Sequence, residues 1–268
     1  MRDDHDQWQH VNVAFTKQSD HFDAEDLANP ILQRWRKKIY NHTDLFLKPN
    51  SRMLELNAGT GIDALRFAQC GHSVHATDLS DGMIKKIKEK IDKNSLNKNI
   101  SVQQVSFEKL NTVNGKFDFV FSNFGGLNCT NDLEKVVVHL PQLLNEGAFV
   151  TWVIMPKVSP WEWSWVLKGK LKEAFRRFNS KGVKANLEGE IFTTYYYSLG
   201  EIKKSFGPKF KLIRCEGLGV ISPPPSAINF VKKSPRLTNF LNHMDEGIRK
   251  RFPFNRWGDH LIVTFQLK

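Results

Sequence analysis

The stretch Glu55-Leu56-Asn57-Ala58-Gly59-Thr60-Gly61 is the most informative part of this sequence. It lies between the apolar run Arg52–Leu56, which predicts a buried strand, and Ile62–Gln69, which predicts a helix. Glycines at such a turn let the backbone bend sharply and let a ligand approach the main chain. The helix beyond the turn presents free N–H groups and a partial positive charge. The pattern therefore predicts a ligand site at the end of the first strand.

A second strand, Ser73–Thr77, is followed directly by an acidic residue, Asp78, seventeen residues after Gly61. In doubly wound sheets, a carboxylate at this place accepts hydrogen bonds from ribose hydroxyls. The order of strand, glycine turn, helix, strand and acid is much more specific than the glycines alone. It indicates a ligand that contains a nucleoside.

Two classes of nucleoside fit this turn. The spacing Gly59-x-Gly61-x-x-Ala64 matches the dinucleotide fingerprint, so an NAD oxidoreductase is one alternative. Glu55, however, lies inside the strand before the turn, where its carboxylate would oppose a pyrophosphate but would receive a positively charged group. Asp81, shortly after Asp78, adds further negative charge. The residues therefore favour a cationic, zwitterionic nucleoside cofactor.

Three motifs then resemble those of the class I S-adenosylmethionine-dependent methyltransferases. They are the turn Glu55 to Gly61, the run Asp78-Leu79-Ser80-x-x-Met83 and the fourth-strand segment Phe117 to Phe124. The resemblance is specific over about residues 51–155, and Phe15 to Tyr40 is similar to the lid of bacterial small-molecule and quinone methyltransferases. It implies an α/β fold with a doubly wound, Rossmann-like, seven-stranded and mostly parallel sheet whose last strand is antiparallel. It also implies S-adenosylmethionine as cofactor and S-adenosylhomocysteine as product.

By position, the resemblance implies cofactor contacts for a set of residues at the ends of the strands. They are Glu55, Asn57, Ala58 and Gly59 at the methionine end, with Gly61 in the same turn; Asp78 at the ribose; Leu79, Met83, Ser106 and Phe107 around the adenine; and Asn123 and Phe124 near the sulfonium. Two positions depart from the family pattern. Asn57 replaces the usual glycine, although asparagine tolerates a positive φ better than most residues. Ser106 replaces a frequent acid, which leaves the contact to the adenine amino group open.

The rest of the chain continues the alternation of strands and helices, which predicts a parallel sheet covered on both faces. Ile62, Leu65 and Ala68 or Gln69 are expected on one side of the first core helix. Ser80 is expected to cap the next helix, with Ile84, Ile87 and Ile91 facing inward. Further predicted strands are Ile100–Val105, Phe117–Ser122, Ala148–Met155, Phe210–Ile221 and Leu261–Leu267. Further predicted helices are Pro30–Tyr40 and Leu133–Leu144.

Three segments interrupt this alternation, and we expect them to form a lid over one cofactor-binding domain. They are residues 1–50, 156–197 and 222–258; the core comprises 51–155, 198–221 and 259–268. Ligands bind at the carboxyl edge of such sheets, where the inserts are expected to emerge. The first insert is aromatic, and its rings fit either the core of the cap or a stacking wall for an apolar or aromatic acceptor. These rings are Trp161, Trp163, Trp165, Phe175, Phe178 and Tyr195 to Tyr197.

No catalytic base is assigned with any specificity. Glu162, His260 and Tyr195 are weak candidates for O- or N-methylation, as are Asp259 and the neighbouring tyrosines. A base is not required, because holding an acceptor in line with an activated methyl group contributes roughly 7–11 kcal/mol. No metal site is expected.

Composition and charge limit the possible compartments and substrate classes. The 268 residues carry a net charge of +11, mostly from the second half, and no apolar run approaches a membrane span. Three widely spaced cysteines and the lack of a signal peptide favour the reducing cytoplasm. We expect methyl transfer to a small-molecule acceptor and no specific binding of nucleic acid. The alternatives are an RNA or protein methyltransferase that uses the basic cap and a non-catalytic nucleotide-binding module.

Overall fold

A computed structural model describes residues 2–268, with side chains from residue 6 onward. The strands are β1 (Arg52–Leu56), β2 (Ser73–Asp78), β3 (Ile100–Gln104), β4 (Phe117–Ser122), β5 (Leu144–Ile154), β6 (Val183–Leu187), β7 (Glu190–Thr194), β8 (Phe210–Leu218) and β9 (His260–Leu267). The helices are α1 (Arg2–Gln18), α2 (Phe22–Ala28), α3 (Pro30–Thr43), α4 (Ile62–Gln69), α5 (Asp81–Lys93), α6 (Glu134–Val137), α7 (Leu140–Leu143), α8 (Pro160–Trp163), α9 (Leu171–Phe175), α10 (Leu199–Phe206), α11 (Ile228–Lys233) and α12 (Pro235–Ile248). Short 3₁₀ turns cover Phe107–Thr112, Gly126–Cys129, Ser164–Lys168, Arg176–Phe178, Pro225–Ala227 and Phe254–Arg256.

The main sheet has seven strands in the order β3-β2-β1-β4-β5-β9-β8. Strands β1 to β5 run parallel, and β9 is antiparallel to both of its neighbours, β5 and β8. The predicted fold class is therefore confirmed. Leu56 of β1 pairs with Ser122 of β4, and Asp78 ends β2 opposite Gln104 of β3. The strand ends that carry the motifs thus lie along one edge.

Both faces of the sheet are covered by helices. Because consecutive strand residues point to opposite faces, nearly every side chain of a central strand is then buried. On one face, Trp152 and Phe265 pack with Phe206 of α10, whose ring stacks on Phe265. On the other, Phe121 packs against Phe67 of α4. This double burial explains why the central strand β4 and the second half of β5 are almost continuously apolar.

Two helical predictions were wrong in detail. The inward face of α4 is formed by Asp63, Ala64, Phe67 and Ala68, so Ile62 and Leu65 are only half-buried. The helix predicted over Leu133–Leu144 is split into α6 and α7, because Pro141 cannot donate a backbone hydrogen bond and its ring crowds the preceding turn. Strand ends differ by a few residues; β8 stops at Leu218 because Gly219 turns the chain with a φ of 65°.

The first insert contains a β-hairpin that was not predicted. Strands β6 and β7 pair antiparallel, with Leu187 opposite Glu190. The two residues between them, Glu188 and Gly189, both have positive φ, of 53° and 82°. Such angles match the twist of a two-residue hairpin, but Glu-Gly is a much weaker sequence signal for this turn than Asn-Gly.

The N-terminal segment and the second insert lie on different parts of the core. Helix α1 packs against α5 and the β6–β7 hairpin. The second insert, residues 222–258, lies against α3 and the first insert: Lys38 pairs with Glu246 at 2.5 Å, and the ring of Phe230 contacts Trp161. Within the described residues, no helix is both long and apolar enough to cross a membrane.

Candidate functional site

A cavity of about 240 Å³ lies at the carboxyl edge of the sheet, beneath α1. Eight of the twelve residues expected to contact the cofactor line it. They are Asn57, Gly59, Asp78, Leu79, Met83, Phe107, Asn123 and Phe124. The structure therefore brings together residues from the ends of β1, β2 and β4 and from the turn after β3.

The glycine turn leaves open space where the ligand would approach. Gly59 has a φ of 58°, and a Cβ atom at this position would meet no atom within 4 Å. Asn57 also has a positive φ, of 46°, as the turn requires. Its side-chain amide donates to the Asn123 carbonyl at 3.0 Å and accepts from the Ser122 hydroxyl at 2.6 Å. Asn57 thus ties the turn to the end of β4, which a glycine could not do.

Asp78 is held in place from two sides. Its Oδ2 accepts from the Gly59 N–H at 2.9 Å, and its Oδ1 accepts from the Ser80 N–H at 2.8 Å. Burial raises the pKa of Asp78 to about 6, against the opposing effect of these backbone donors. Each carboxylate oxygen keeps a second lone pair, so the group can still accept from ligand hydroxyls on the cavity side.

A buried charge cluster lies behind the turn, and the sequence patterns did not reveal most of it. Arg36 of α3 donates to Asp63 of α4 at 2.7 Å and to Asp26 of α2 at 2.8 Å. Its guanidinium lies 4.8 Å from the centre of the Phe124 ring. Asp63 also accepts from the side chains of Tyr40 and, at 2.9 Å, Asn123.

Glu55 belongs to this cluster and does not line the cavity. It is fully buried, and its Oε2 has no hydrogen-bond partner among the residues that the structure describes. Burial, followed by repulsion from Asp63, raises the pKa of Glu55 well above the usual value. The charge of Asp78 also raises the pKa of Glu55, and the charge of Arg36 lowers it. The region therefore has an excess of carboxylates, which suits a ligand group of positive charge.

Three other predicted contact residues have structural roles in the glycine turn or in the turn after β3. The Ala58 N–H donates to the Thr77 carbonyl at 2.9 Å. Gly61 lies so close to α5 that a Cβ would come within 3.1 Å of Ile87. The Ser106 hydroxyl accepts from the Glu108 N–H at 3.3 Å and thereby caps the turn after β3. None of the three lines the cavity.

The cover of the cavity comes from α1, α2 and the hairpin. Its rings are Trp8, Phe15 and Phe22 from the N-terminal segment and Phe192 from β7. The Gln7 side chain fastens α1 to the hairpin, because it donates to the Thr193 carbonyl at 2.8 Å and accepts from the Thr193 N–H at 2.9 Å. The spacing of Trp8, Val11 and Phe15 is helical and would have predicted this face.

The weak catalytic candidates lie outside the cavity lining. Glu162 accepts from Arg176 and Arg177, and these bonds hold its pKa below the usual value although burial opposes them. His260 lies behind Phe124, with its Nδ1 2.9 Å from Asp259. Tyr195 lies between the hairpin and the turn Gly126–Cys129, and its N–H donates to the Asn128 carbonyl at 2.7 Å.

The half-buried Trp161 and Trp163 and the buried Tyr197 of the first insert pack against other parts of the protein. Trp161 contacts Phe230, Trp163 contacts Trp257, and the Tyr197 hydroxyl donates to the Thr130 carbonyl. None of the eight rings for which a stacking wall was considered lines the cavity, whereas Phe192, in β7 of the same insert, does. Phe175 and Phe178 are exposed instead.

The cavity fits a nucleoside cofactor with a positive charge. Asp78 supplies an acceptor for ribose hydroxyls, the open side of Gly59 admits a group against the main chain, and Leu79, Met83 and Phe107 provide an apolar slot for a base. The surrounding carboxylates would oppose the pyrophosphate of a dinucleotide.

Comparisons with known proteins agree with this fold. Residues 53–147 match the model of the methyltransferase domain family. The search of curated proteins found no significant match.

Three solved structures illustrate the likeness of the fold. An S-adenosylmethionine-dependent methyltransferase from Methanosarcina mazei is 15% identical, with a TM-score of 0.58 and coverage of 84% of this chain and 96% of that one. The 1,6-didemethyltoxoflavin-N1-methyltransferase of Burkholderia thailandensis, with bound S-adenosylhomocysteine, is 12% identical, with a TM-score of 0.57 and coverage of 97% and 88%. The [4+2]-cyclase SpnF is 13% identical, with a TM-score of 0.54 and coverage of 85% and 80%.

The family match identifies residues 53–147 as a methyltransferase domain. The strand order is that of the class I fold shared with S-adenosylmethionine-dependent methyltransferases, and the glycine turn and Asp78 fit that cofactor.

Proposed function

We propose that this enzyme methylates a compact, largely apolar small molecule. The observation that carries the proposal is the apolar lining of the cavity, to which the core contributes Phe124 and Met155 and the cover contributes Phe15, Phe22 and Phe192. Apolar walls with few polar groups are typical of small-molecule sites. The cover spans the cavity from α1 to the hairpin, which suits a small acceptor better than a polymer.

Within this proposal, the twelve expected residues divide into two groups. The eight that line the cavity contact the cofactor directly, with Asp78 accepting from the ribose hydroxyls and Leu79, Met83 and Phe107 enclosing the adenine. Glu55, Ala58 and Gly61 act through the shape and charge of the glycine turn, and Ser106 acts by capping the turn after β3. The domain division of core, N-terminal lid and two inserts remains part of the proposal.

The residues of the chain position the acceptor and exclude water from the cavity. When bound, the cofactor supplies a methyl group already activated by a sulfonium. Phe124, Met155 and Phe192 would hold the acceptor against that end of the cavity, and Gln7 would keep α1 closed over it. Positioning of this kind lowers a barrier by roughly 7–11 kcal/mol. No side chain is assigned to remove a proton from the acceptor.

A screen with S-adenosylmethionine labelled in its methyl group tests the acceptor class. We expect label to enter apolar compounds in a metabolite extract, and we expect little to enter total RNA or protein. Transfer to the small molecule should change little with salt, because the cavity offers an acceptor no phosphate-binding cations. Robust, salt-sensitive labelling of RNA alone would refute the proposal.

The raised pKa of Asp78 predicts how affinity for S-adenosylhomocysteine depends on pH. Ribose hydroxyls favour the ionised carboxylate, so binding must drive off the proton that the free protein holds below about pH 6. Affinity should therefore rise with pH and level off above about pH 7, with a difference of about tenfold between pH 7 and pH 5. Calorimetric titrations across this range measure it. Asp78→Asn should remove the dependence; an unchanged slope in that variant would assign it to another group.

A further inference from the structure

The first insert exposes an unusual number of large apolar side chains. Leu167 is 90% exposed, Leu171 is 57% exposed, and Phe175 and Phe178 are each about half exposed. With Val166, these residues form what we call the cap ridge. Single exposed apolar residues are ordinary, but a group of five within thirteen consecutive residues marks an interaction surface.

The cap ridge is one surface, because its elements pack on one another. Helix α9 packs against α8 and against the turn Ser164–Lys168. The ring of Phe175 contacts both Phe178 and Trp163, with centroids 6.3 and 6.5 Å apart. The exposed side chains therefore project from a common, packed base.

The ridge is surrounded by positive charge. Residues 161–184 contain seven Lys and Arg residues against two acidic ones. Arg176 and Arg177 are paired with Glu162, which leaves Lys168, Lys170, Lys172 and Lys181 exposed and, in the part of the chain that the structure describes, without a carboxylate partner. Lys168 and Lys170 lie over the ring of Trp165, at 4.8 and 5.2 Å. Glu173 is the exposed acid within the ridge.

The base of the ridge is fixed to the carboxyl edge of the sheet. The buried Arg177 side chain donates to Glu162 at 2.9 Å and to Asp259, just before β9, at 2.7 Å. The first insert begins directly after Met155, and its hairpin carries Phe192. Met155 and Phe192 both line the cavity. The ridge therefore belongs to the same cap that covers the site.

We propose that the cap ridge docks this enzyme on the surface of an anionic lipid bilayer. Aliphatic and aromatic side chains enter the boundary between headgroups and acyl chains, while lysines beside them attract anionic headgroups. Both components are present here on one surface. A nucleic acid would use the lysines but would gain little from Leu167 or Leu171, and an apolar protein partner would gain little from four unpaired lysines.

Flotation with lipid vesicles tests this proposal. We expect the full-length protein to bind equimolar phosphatidylglycerol–phosphatidylcholine vesicles and to bind pure phosphatidylcholine vesicles much more weakly. Leu167→Glu should weaken binding to the anionic vesicles by about tenfold or more, because it removes an inserted side chain and adds a repelled charge. The double variant Lys168→Glu/Lys172→Glu should weaken it at least as much.

The matched control is Leu45→Glu. Leu45 is 62% exposed and lies before β1, at the opposite end of the strands from the cap. The Leu45→Glu variant should leave vesicle binding unchanged. All these variants should bind S-adenosylhomocysteine as the unmodified protein does, so a failure of vesicle binding can be distinguished from a failure of the proposed function. Three results would overturn the proposal: no vesicle binding, equal binding to both vesicle types, or binding of RNA that the lysine changes abolish and Leu167→Glu does not.

Discussion

Asp78→Ala is expected to weaken the binding of S-adenosylhomocysteine by about 10- to 150-fold. Hydrogen bonds to a charged group contribute roughly 1.5–3 kcal/mol, and about 1.4 kcal/mol corresponds to a tenfold change in affinity. The substitution also removes the acceptor that holds the N–H groups of Gly59 and Ser80, so the turn that faces the ligand loses its support. Titration calorimetry with the purified variant measures the effect.

The matched control is Asp92→Ala, which removes the same charge from an exposed position on α5. It should leave affinity within about twofold, because a surface substitution away from the site changes little. A thermal melt of both variants without ligand checks that they remain folded. If the folded Asp78→Ala protein bound the ligand as tightly as the control, the carboxylate would have been assigned wrongly.

The parts of this site that could be predicted are those encoded within one short stretch of sequence. The turn Glu55 to Gly61 carries its own signals, since a positive φ at Gly59 and a helix start at Ile62 are local properties. Asp78 follows from the strand before it. Because parallel strands end at one edge of a sheet, these local predictions were enough to bring eight of the twelve expected contact residues to one cavity.

The parts that could not be predicted depend on contacts between distant residues. Arg36 and Asp63 are 27 positions apart, and neither motif nor periodicity indicated that they would pair in the interior. Glu55 shows the same limit in another way: its place in the strand was predicted, but not the neighbouring Arg36 and Asp63 that turn its side chain into part of a buried cluster. The hairpin was missed because its turn carries a weak signal.

Arg36→Met is expected to cause the largest loss of stability among single substitutions near the site, about 3–5 kcal/mol. The guanidinium is buried and neutralises Asp26 and Asp63, and removing one partner of such a group leaves charge without compensation in the interior. Methionine retains much of the apolar volume, so the effect reports the lost charge and hydrogen bonds. Chemical unfolding at about pH 7 gives the free energy of unfolding.

Arg34→Met is the matched control, because it removes an arginine from the exposed side of the same helix. It should stay within about 0.5 kcal/mol of the unmodified protein. If Arg36→Met were as stable as this control, the guanidinium would not be needed to balance the buried carboxylates behind the turn.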